Sequence, residues 1–246
     1  MPADSTDGPG PDWSTTYLEV RRREGRLHPD EIVATLPVVP QTDPHAAEWR
    51  IRADSARRLI AYLANQRELR VVEIGCGNGW LSNQMATIAG SRVVGIDRNA
   101  VELEQARRVF GSRPNLTFVA GDIADRPVEI DRPTTIVLAS VIQYIDDLPA
   151  LLRGLRSNLA PYGEIHILDS PLYRSWDVAA ARARSDRYYT DLGVPEMAAL
   201  YHHHTWDELE PFATRLLYDP RAAIPQLERR LGRPRSPFPW VRIASG

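Results

Sequence analysis

The sequence contains no lysine, and all 30 of its basic residues are arginines, whose guanidinium groups stay protonated in proteins. Without a lysine amine no Schiff base can form, which excludes pyridoxal phosphate enzymes and lysine-dependent aldolases. Nucleotide-binding P-loops need a lysine beside the phosphates, so the sequence holds no candidate for such a loop. These chemistries are excluded before any motif is considered.

Cysteine occurs once, at Cys76, so neither an intramolecular disulfide nor a zinc site of several thiolates can form within the chain. This cysteine usage favours a reducing, cytoplasmic location. No apolar run approaches the ~18 residues that a membrane-spanning helix needs. With 32 acidic residues against 30 basic ones, the net charge of -2 gives no indication of a nucleic-acid partner. We therefore expect neither a membrane nor a nucleic acid as partner.

Apolar runs that alternate with amphipathic helices dominate the middle of the chain. Five runs are typical of a parallel sheet with helices on both faces, and two later runs would complete the sheet as an antiparallel pair. The predicted strands lie at 69–74, 92–96, 116–120, 134–139, 164–168, 214–218 and 240–243. The fold class is therefore α/β with a seven-stranded, mostly parallel sheet, and ligands of such sheets bind at the carboxyl ends of the strands.

Capping residues predict where several helices begin. Asp43 as N-cap and Pro44 in the first turn predict the start of a helix that packs on the sheet. Asn99 is the predicted cap of the helix after the second strand, and Thr205 is the predicted cap of a helix that reaches residue 212. The arginine run at 21–23 is interpreted as a solvated helix face.

A glycine-rich loop follows the first predicted strand, which ends in Glu73. Glycine then occupies every second position, at Gly75, Gly77 and Gly79. Glycine permits a sharp turn from strand to helix and lets the backbone approach a ligand closely. A dinucleotide fingerprint needs G-x-G-x-x-G, but Trp80 stands where its third glycine belongs. The loop therefore disfavours a nicotinamide dehydrogenase.

Taken with the acid before it, this loop resembles motif I of the class I S-adenosylmethionine-dependent methyltransferases, and residues 69–170 resemble the family's motifs in order. The resemblance implies a Rossmann-like sheet that binds S-adenosylmethionine, and methyl transfer as the activity. The residues that it assigns to cofactor binding are Glu73, Gly75, Cys76, Gly77, Asn78, Gly79, Asp97, Arg98, Gly121, Asp122, Ile123, Ala139, Ser140 and Tyr144.

The resemblance also implies a role for individual residues. Asp97 would accept hydrogen bonds from the ribose hydroxyls, and Arg98 beside it would flank the adenine. Asp122 would bond the adenine amino group while Ile123 contacts the ring edge. The backbone at 139–140 would meet the methionine part.

Each of these residues also has a simpler interpretation. Glu73 and Asp97 could be plain helix caps at strand ends, and Cys76 could be a small residue tolerated near a ligand rather than a nucleophile. Trp80 and Tyr144 could line a pocket or simply pack. The recurrence of four motifs in order favours the cofactor interpretation.

The resemblance divides the chain into five parts. Residues 1–15 are predicted to be a disordered tail without the features of a secretion signal. The further parts are an N-terminal helical cap at 16–43, a cofactor-binding Rossmann-like core at 44–170, a helical substrate lid at 171–205, and the C-terminal part of the core sheet at 206–246.

Three consecutive histidines, His202, His203 and His204, are the candidate catalytic residues. A base removes a proton when the methyl acceptor is a hydroxyl or an amine, and histidine suits that task near neutral pH. On a helix their side chains would point about 100° apart, so that one or two could face a single site. The same geometry disfavours a metal site, and no metal is expected. Caps and surface contacts are the simpler interpretation.

The methyl acceptor is inferred from a missing motif and from aromatic residues in the segments before and after the predicted core. The Asn/Asp-Pro-Pro-Tyr signature of base-modifying enzymes is replaced by residues 139–142. We expect a small molecule, methylated at a hydroxyl group, under a lid. Methylation of RNA or protein, and a cofactor-binding protein with a regulatory or non-methylating role, are the alternatives. A homodimer is compatible with the sequence. The candidate substrate-binding residues are Tyr17, Gln143, Tyr173, Tyr189 and Tyr201.

Overall fold

The computed structural model describes residues 12–121 and 132–245, and within these residues seven strands form one sheet. The strand order is β3-β2-β1-β4-β5-β7-β6, with β7 antiparallel to both neighbours and the other pairs parallel. The predicted fold class is therefore confirmed, including the antiparallel pair. The strands are β1 (Arg70–Ile74), β2 (Arg92–Asp97), β3 (Leu116–Ala120), β4 (Thr135–Ala139), β5 (Glu164–Leu168), β6 (Thr214–Tyr218) and β7 (Trp240–Ala244).

Helices cover both faces of this sheet, and each face has its own apolar core. The central strands are buried on both sides, which explains their near-continuous apolar sequence. No helix in the described part of the chain combines the length and apolarity needed to cross a membrane. The helices are α1 (Trp13–Arg23), α2 (Asp30–Val33), α3 (Ala46–Leu63), α4 (Trp80–Met85), α5 (Ala100–Phe110), α6 (Leu148–Asn158), α7 (Val178–Asp191) and α8 (Ala223–Arg230).

Several helix boundaries differ from the sequence prediction. Asn99 caps α5 as predicted. Asp43, however, is not the N-cap of α3, because its carboxylate instead accepts a hydrogen bond from the backbone N–H of His45 (2.7 Å), the actual cap. Helix α1 begins at Trp13, so the predicted tail at 1–15 includes helical residues.

The segment around the three histidines is extended rather than helical, which corrects the prediction. The backbone N–H of His202 donates to the Gln143 carbonyl (2.7 Å), and the His204 carbonyl accepts from Tyr173 (2.9 Å). Beyond it, the predicted helix from Thr205 shrinks to a single 3-10 turn at Asp207–Leu209. These backbone groups bond to neighbouring segments, so they cannot form helical hydrogen bonds.

A third, smaller apolar cluster joins α1 to α7 and to the 3-10 helix at Pro195–Leu200. Its buried members are Val20, Tyr189, Val194 and Met197. The predicted cap and the predicted lid therefore pack on each other, away from the cores of the sheet.

We expect Met197→Ala to loosen this cluster without unfolding the sheet. Met197 is 0% exposed, and truncation of such a side chain costs about 2–5 kcal/mol. Hydrogen exchange should then accelerate in α1 and α7 while β1 and β4 stay protected. Leu152→Ala, in the core under the sheet, is the matched control and should lower protection throughout the chain. Uniform loss of protection in the Met197 variant would contradict a separate cluster.

Candidate active site

Backbone hydrogen bonds hold the glycine loop against the end of β2. Gly77 has a φ of 52°, and its N–H donates to Asp97 Oδ2 (2.7 Å). The other Asp97 oxygen accepts from the N–H of Asn99 (2.7 Å), at the start of α5. Asp97 is 8% exposed, and burial raises its pKa in spite of these hydrogen bonds. One carboxylate thus fixes both the loop and the following helix.

Glu73, the last acid of β1, is 3% exposed and accepts a hydrogen bond from the Ser82 hydroxyl on α4. Burial, together with the negative charge of Asp97, raises the pKa of Glu73 to about 8. The bond to Ser82 opposes this shift. Glu73 therefore carries a proton over much of the neutral pH range.

A cavity of about 120 Å³ lies beside this loop, and we call it the glycine-loop cavity. It collects most of the residues that the sequence assigned to the cofactor, and also two that it assigned to the substrate, Tyr17 and Gln143. Trp80 lines it as well. The predicted cofactor residues in its wall are Glu73, Gly75, Cys76, Gly77, Asn78, Ala139, Ser140 and Tyr144.

The other residues of the predicted cofactor set, Asp97 among them, are not part of the wall of this cavity. Gly79 is packed so closely on Phe118 that an added Cβ would lie 2.6 Å from the ring. The N–H of Gly121 donates to the Asp97 carbonyl (3.1 Å), and the Arg98 guanidinium lies 3.4 Å from the Trp13 ring centroid. Two further predicted residues, Asp122 and Ile123, fall outside the described part of the chain.

Two residues with left-handed backbone close the cavity at the ends of β4 and β5. Ser140 has a φ of 56° and Asp169 a φ of 51°, which is rare for residues other than glycine. The Ser140 hydroxyl donates to the Asp169 carbonyl (3.0 Å), and Asp169 Oδ1 accepts from Ser55 and Ser236, at 2.8 Å each. These bonds hold the strained turns in place, as is common at functional sites.

A second cavity, of about 390 Å³, lies between α1, α3 and α7, and we call it the tyrosine cavity. Three predicted substrate residues, Tyr173, Tyr189 and Tyr201, line it together with Tyr144 and Tyr188. Four residues line both cavities, so the two adjoin: Arg21, Arg52, Gln143 and Tyr144.

The three histidines line neither cavity. His204 lies between the Glu208 carboxylate (2.7 Å) and the backbone carbonyls of Ile142 and Ile145, at 2.9 Å each. His203 Nε2 is 2.9 Å from the Ser185 hydroxyl, and burial lowers its pKa. His202 faces Asp146 at 3.6 Å. No group of His, Cys, Asp and Glu among residues 12–121 and 132–245 could hold a metal ion.

Sequence reasoning missed the contribution of α1. Arg21 was assigned to a solvated face, but it lines both cavities, which corrects that interpretation. Trp13 stacks on Tyr17, with ring centroids 4.7 Å apart, and covers Arg98. Tyr17 and Arg21 are four residues apart and share a helix face, so the helical repeat was the signal that could have found Arg21. No comparable sequence pattern placed Glu102 or Asp169 in the wall of the glycine-loop cavity, which both of them line.

We expect Glu73→Gln to flatten the pH dependence of stability. The folded chain keeps the Glu73 proton up to about pH 8, while the unfolded chain releases it near pH 4.5. The free energy of unfolding of the unchanged chain should therefore fall as pH rises through this window, with at most ~1.4 kcal/mol per pH unit from this one group. Denaturant unfolding at several pH values measures the slope. Glu104→Gln, an exposed control on α5, should have the same slope as the unchanged chain. Identical slopes for the unchanged chain and both variants would refute the raised pKa of Glu73.

A family model described as "Methyltransferase domain" matches residues 65–215, which is more than half of the chain. Malonyl-[acyl-carrier protein] O-methyltransferase of Halalkalibacterium halodurans is 29% identical over 123 residues, covering 46% of this chain and 45% of the relative. Trans-aconitate 2-methyltransferase of Variovorax paradoxus is 28% identical over 223 residues, covering 73% and 84%. The matches span only 45% to 63% of the length of four such curated relatives.

Solved structures share the fold. Magnesium protoporphyrin IX methyltransferase from Synechocystis PCC 6803, with bound SAH, superposes with a TM-score of 0.57 at 16% identity and covers 95% of each chain. The plantazolicin methyltransferase in complex with SAH gives a TM-score of 0.56 at 13% identity, covering 95% and 96%. With the family model and the confirmed strand order, these findings show that the chain belongs to the class I S-adenosylmethionine-dependent methyltransferases.

Proposed function

We propose that this chain transfers the methyl group of S-adenosylmethionine to a small molecule. The cofactor would bind in the glycine-loop cavity and the acceptor in the tyrosine cavity. The observation that carries this proposal is the wall that the two cavities share, at Arg21, Arg52, Gln143 and Tyr144. Methyl transfer needs the acceptor atom in line with the methyl group, and adjoining cavities would bring the two ligands close enough for that arrangement.

The chemistry of the glycine-loop cavity fits the cofactor. Glu73, Glu102 and Asp169 line it, and burial raises the pKa of all three carboxyl groups. A cationic ligand would stabilise their ionised forms, and S-adenosylmethionine carries a sulfonium and an ammonium group. The buried amide oxygen of Gln143 lacks a hydrogen-bond partner among the described residues and could accept from that ammonium.

Catalysis by this chain would consist of positioning and of water exclusion. When bound, the cofactor supplies an already activated methyl group. Helix α1 would cover the adenosine side through Trp13 on Arg98, while Tyr17 and Tyr144 pack edge to face at 5.5 Å. The strained turns at Ser140 and Asp169 would fix the wall opposite, so that little reorganisation is needed on binding.

The names of relatives support a small-molecule acceptor. They refer to trans-aconitate, 2-phytyl-1,4-naphtoquinone, demethylmenaquinone and malonyl-[acyl-carrier protein]. The sequence predicts a hydroxyl acceptor, with one of His202, His203 and His204 as base. Because none of the three lines a cavity, His202→Ala and His203→Ala should alter turnover little. His204→Ala would also remove the bonds to the carbonyls of Ile142 and Ile145 beside the shared wall, so that a large loss in the His202 or His203 variant is the result that would favour a base.

Two further predictions concern the cellular location and the oligomeric state of the chain. We propose a cytoplasmic location, supported by the single cysteine of the sequence, Cys76, which is free. A homodimer remains a prediction, which sedimentation of the purified chain would test.

Asp97→Ala should weaken binding of S-adenosylhomocysteine by about 1–3 kcal/mol if Asp97 holds the ribose. Calorimetric titration measures this difference. Asp97→Asn keeps one acceptor oxygen, for either the Gly77 or the Asn99 N–H, and thermal unfolding of both variants shows whether the loop is lost together with the ligand bond. Glu104→Ala, exposed on the neighbouring helix, is the control and should bind normally. Unchanged affinity in Asp97→Ala would rule out the ribose assignment.

The proposed activity is tested first by titration of the purified chain with S-adenosylmethionine, S-adenosylhomocysteine and NADH. We expect the first two to bind and NADH not to bind. The chain is then incubated with methyl-labelled S-adenosylmethionine and the small-molecule fraction of a bacterial extract. Label in that fraction supports the proposal, while label only in added RNA or protein supports the polymer alternative. Binding without transfer to any acceptor supports a non-methylating role.

A further inference from the structure

We infer that the acceptor carries a carboxylate group, which is bound by arginines of the tyrosine cavity and is itself the methylated group. This inference rests on the proposed function and adds the substrate class to it. The observations that carry it are an excess of arginine in the tyrosine cavity and the absence of a free base among the described residues of its wall.

Arginines outnumber acids in the tyrosine cavity. Four arginines but only two glutamates line it, namely Arg21, Arg26, Arg52, Arg184, Glu24 and Glu48. Both glutamates are engaged. Glu48 contacts Arg26 (2.6 Å) and Arg52 (2.8 Å), while Glu24 contacts Arg26 (2.9 Å) and accepts a hydrogen bond from Tyr188. The short ion pairs of these two carboxylates are therefore made with Arg26 and Arg52.

Arg21 is the arginine left at the junction of the cavities. Its shortest ion pair, with Glu24, is long at 3.9 Å, and its Nε is buried without a hydrogen-bond partner among the described residues. Glu102, which lines only the glycine-loop cavity, also attracts it. An unsatisfied buried donor costs free energy that an anionic ligand would recover. Arg184, across the cavity on α7, is exposed and has neither an ion pair nor a hydrogen bond within the described ranges.

The planar guanidinium group matches a carboxylate, to which it can donate two parallel hydrogen bonds. The tyrosine hydroxyls around it would add neutral donors, because burial raises the pKa of Tyr144, Tyr173 and Tyr201 and keeps them protonated. The wall thus offers many donors and positive charge. An anion of this kind is also attracted towards the sulfonium group of the cofactor.

A carboxylate acceptor also removes the need for a base. Glu48, with its pKa lowered to about 2 by its arginine partners against the effect of burial, is too weak a base to accept a proton from a hydroxyl. In the transfer, an electron pair of the carboxylate oxygen forms the C–O bond and the pair of the broken C–S bond stays on sulfur. The products are a methyl ester and S-adenosylhomocysteine, and no proton has to be removed.

The test uses methyl-labelled S-adenosylmethionine and a defined acceptor mixture. The acids are trans-aconitate, cinnamate and indole-3-acetate, and the matched alcohols are cinnamyl alcohol and tryptophol, all added to the small-molecule fraction of a bacterial extract. Mild alkali releases methanol from methyl esters but leaves ethers, methylamines and phosphate methyl esters intact. We expect alkali-labile label on acids. Alkali-stable label would overturn this inference and leave the proposed methyl transfer standing. The absence of any label, with S-adenosylhomocysteine still bound, would overturn both.

Variants then locate the carboxylate. Arg184→Gln, which touches only the tyrosine cavity, should raise KM for the labelled acid on the order of tenfold, while the Kd for S-adenosylhomocysteine stays within about twofold. Arg21→Gln, at the shared wall, should raise KM to a similar extent. Arg21→Lys keeps the charge but cannot donate two parallel hydrogen bonds to a carboxylate, so its KM should lie between those of Arg21→Gln and the unchanged chain. Arg187→Gln, on α7 but outside both cavities, is the matched control and should behave like the unchanged chain. Equal KM values in all four variants would overturn the assignment of the arginines.

Discussion

The carboxylate of Asp97 connects the parts on which this site depends. It accepts hydrogen bonds from Gly77 in the glycine loop and from Asn99 at the start of α5, both at 2.7 Å. Parallel strands bring their carboxyl ends to one edge of the sheet, so a residue at the end of β2 can reach the loop that follows β1. Without this bridge the glycine loop, whose residues line the glycine-loop cavity, would lack its fixed conformation.

The two cavities differ in their charged groups. Three buried carboxyl groups, Glu73, Glu102 and Asp169, line only the glycine-loop cavity, while the tyrosine cavity has an excess of arginine, although two of its arginines belong to the shared wall. This division suits a cationic methyl donor on one side and an anionic acceptor on the other. The charged groups of the two cavities thus support the same placement of cofactor and acceptor as the wall that the cavities share.

Much of the fold could be predicted because it is encoded locally. The seven strands, the cap at Asn99 and the antiparallel end of the sheet follow from apolar runs and turn residues, and the glycine loop marks the cavity that adjoins it. The histidine segment could not be predicted, because its backbone bonds to residues near 143 and 173, which are distant in sequence. The role of Arg21 in the wall was missed for a related reason. Whether an arginine on a helix faces solvent or a cavity depends on what packs against that helix.

Asp169 shows the same limit more sharply. Asp169 has a left-handed backbone, and its hydrogen bonds to Ser55 and Ser236 join three segments that are distant in sequence. No local sequence pattern predicts either feature. Strain at such positions is set by the surrounding tertiary structure rather than by propensity.

The placement of the cofactor can be measured in a crystal structure of the chain with S-adenosylhomocysteine. We expect ribose hydroxyls within hydrogen-bond distance of Asp97, and a sulfur atom that faces the shared wall at Arg21, Gln143 and Tyr144. A nucleoside bound away from Asp97, or a sulfur atom that points away from the tyrosine cavity, would contradict this placement.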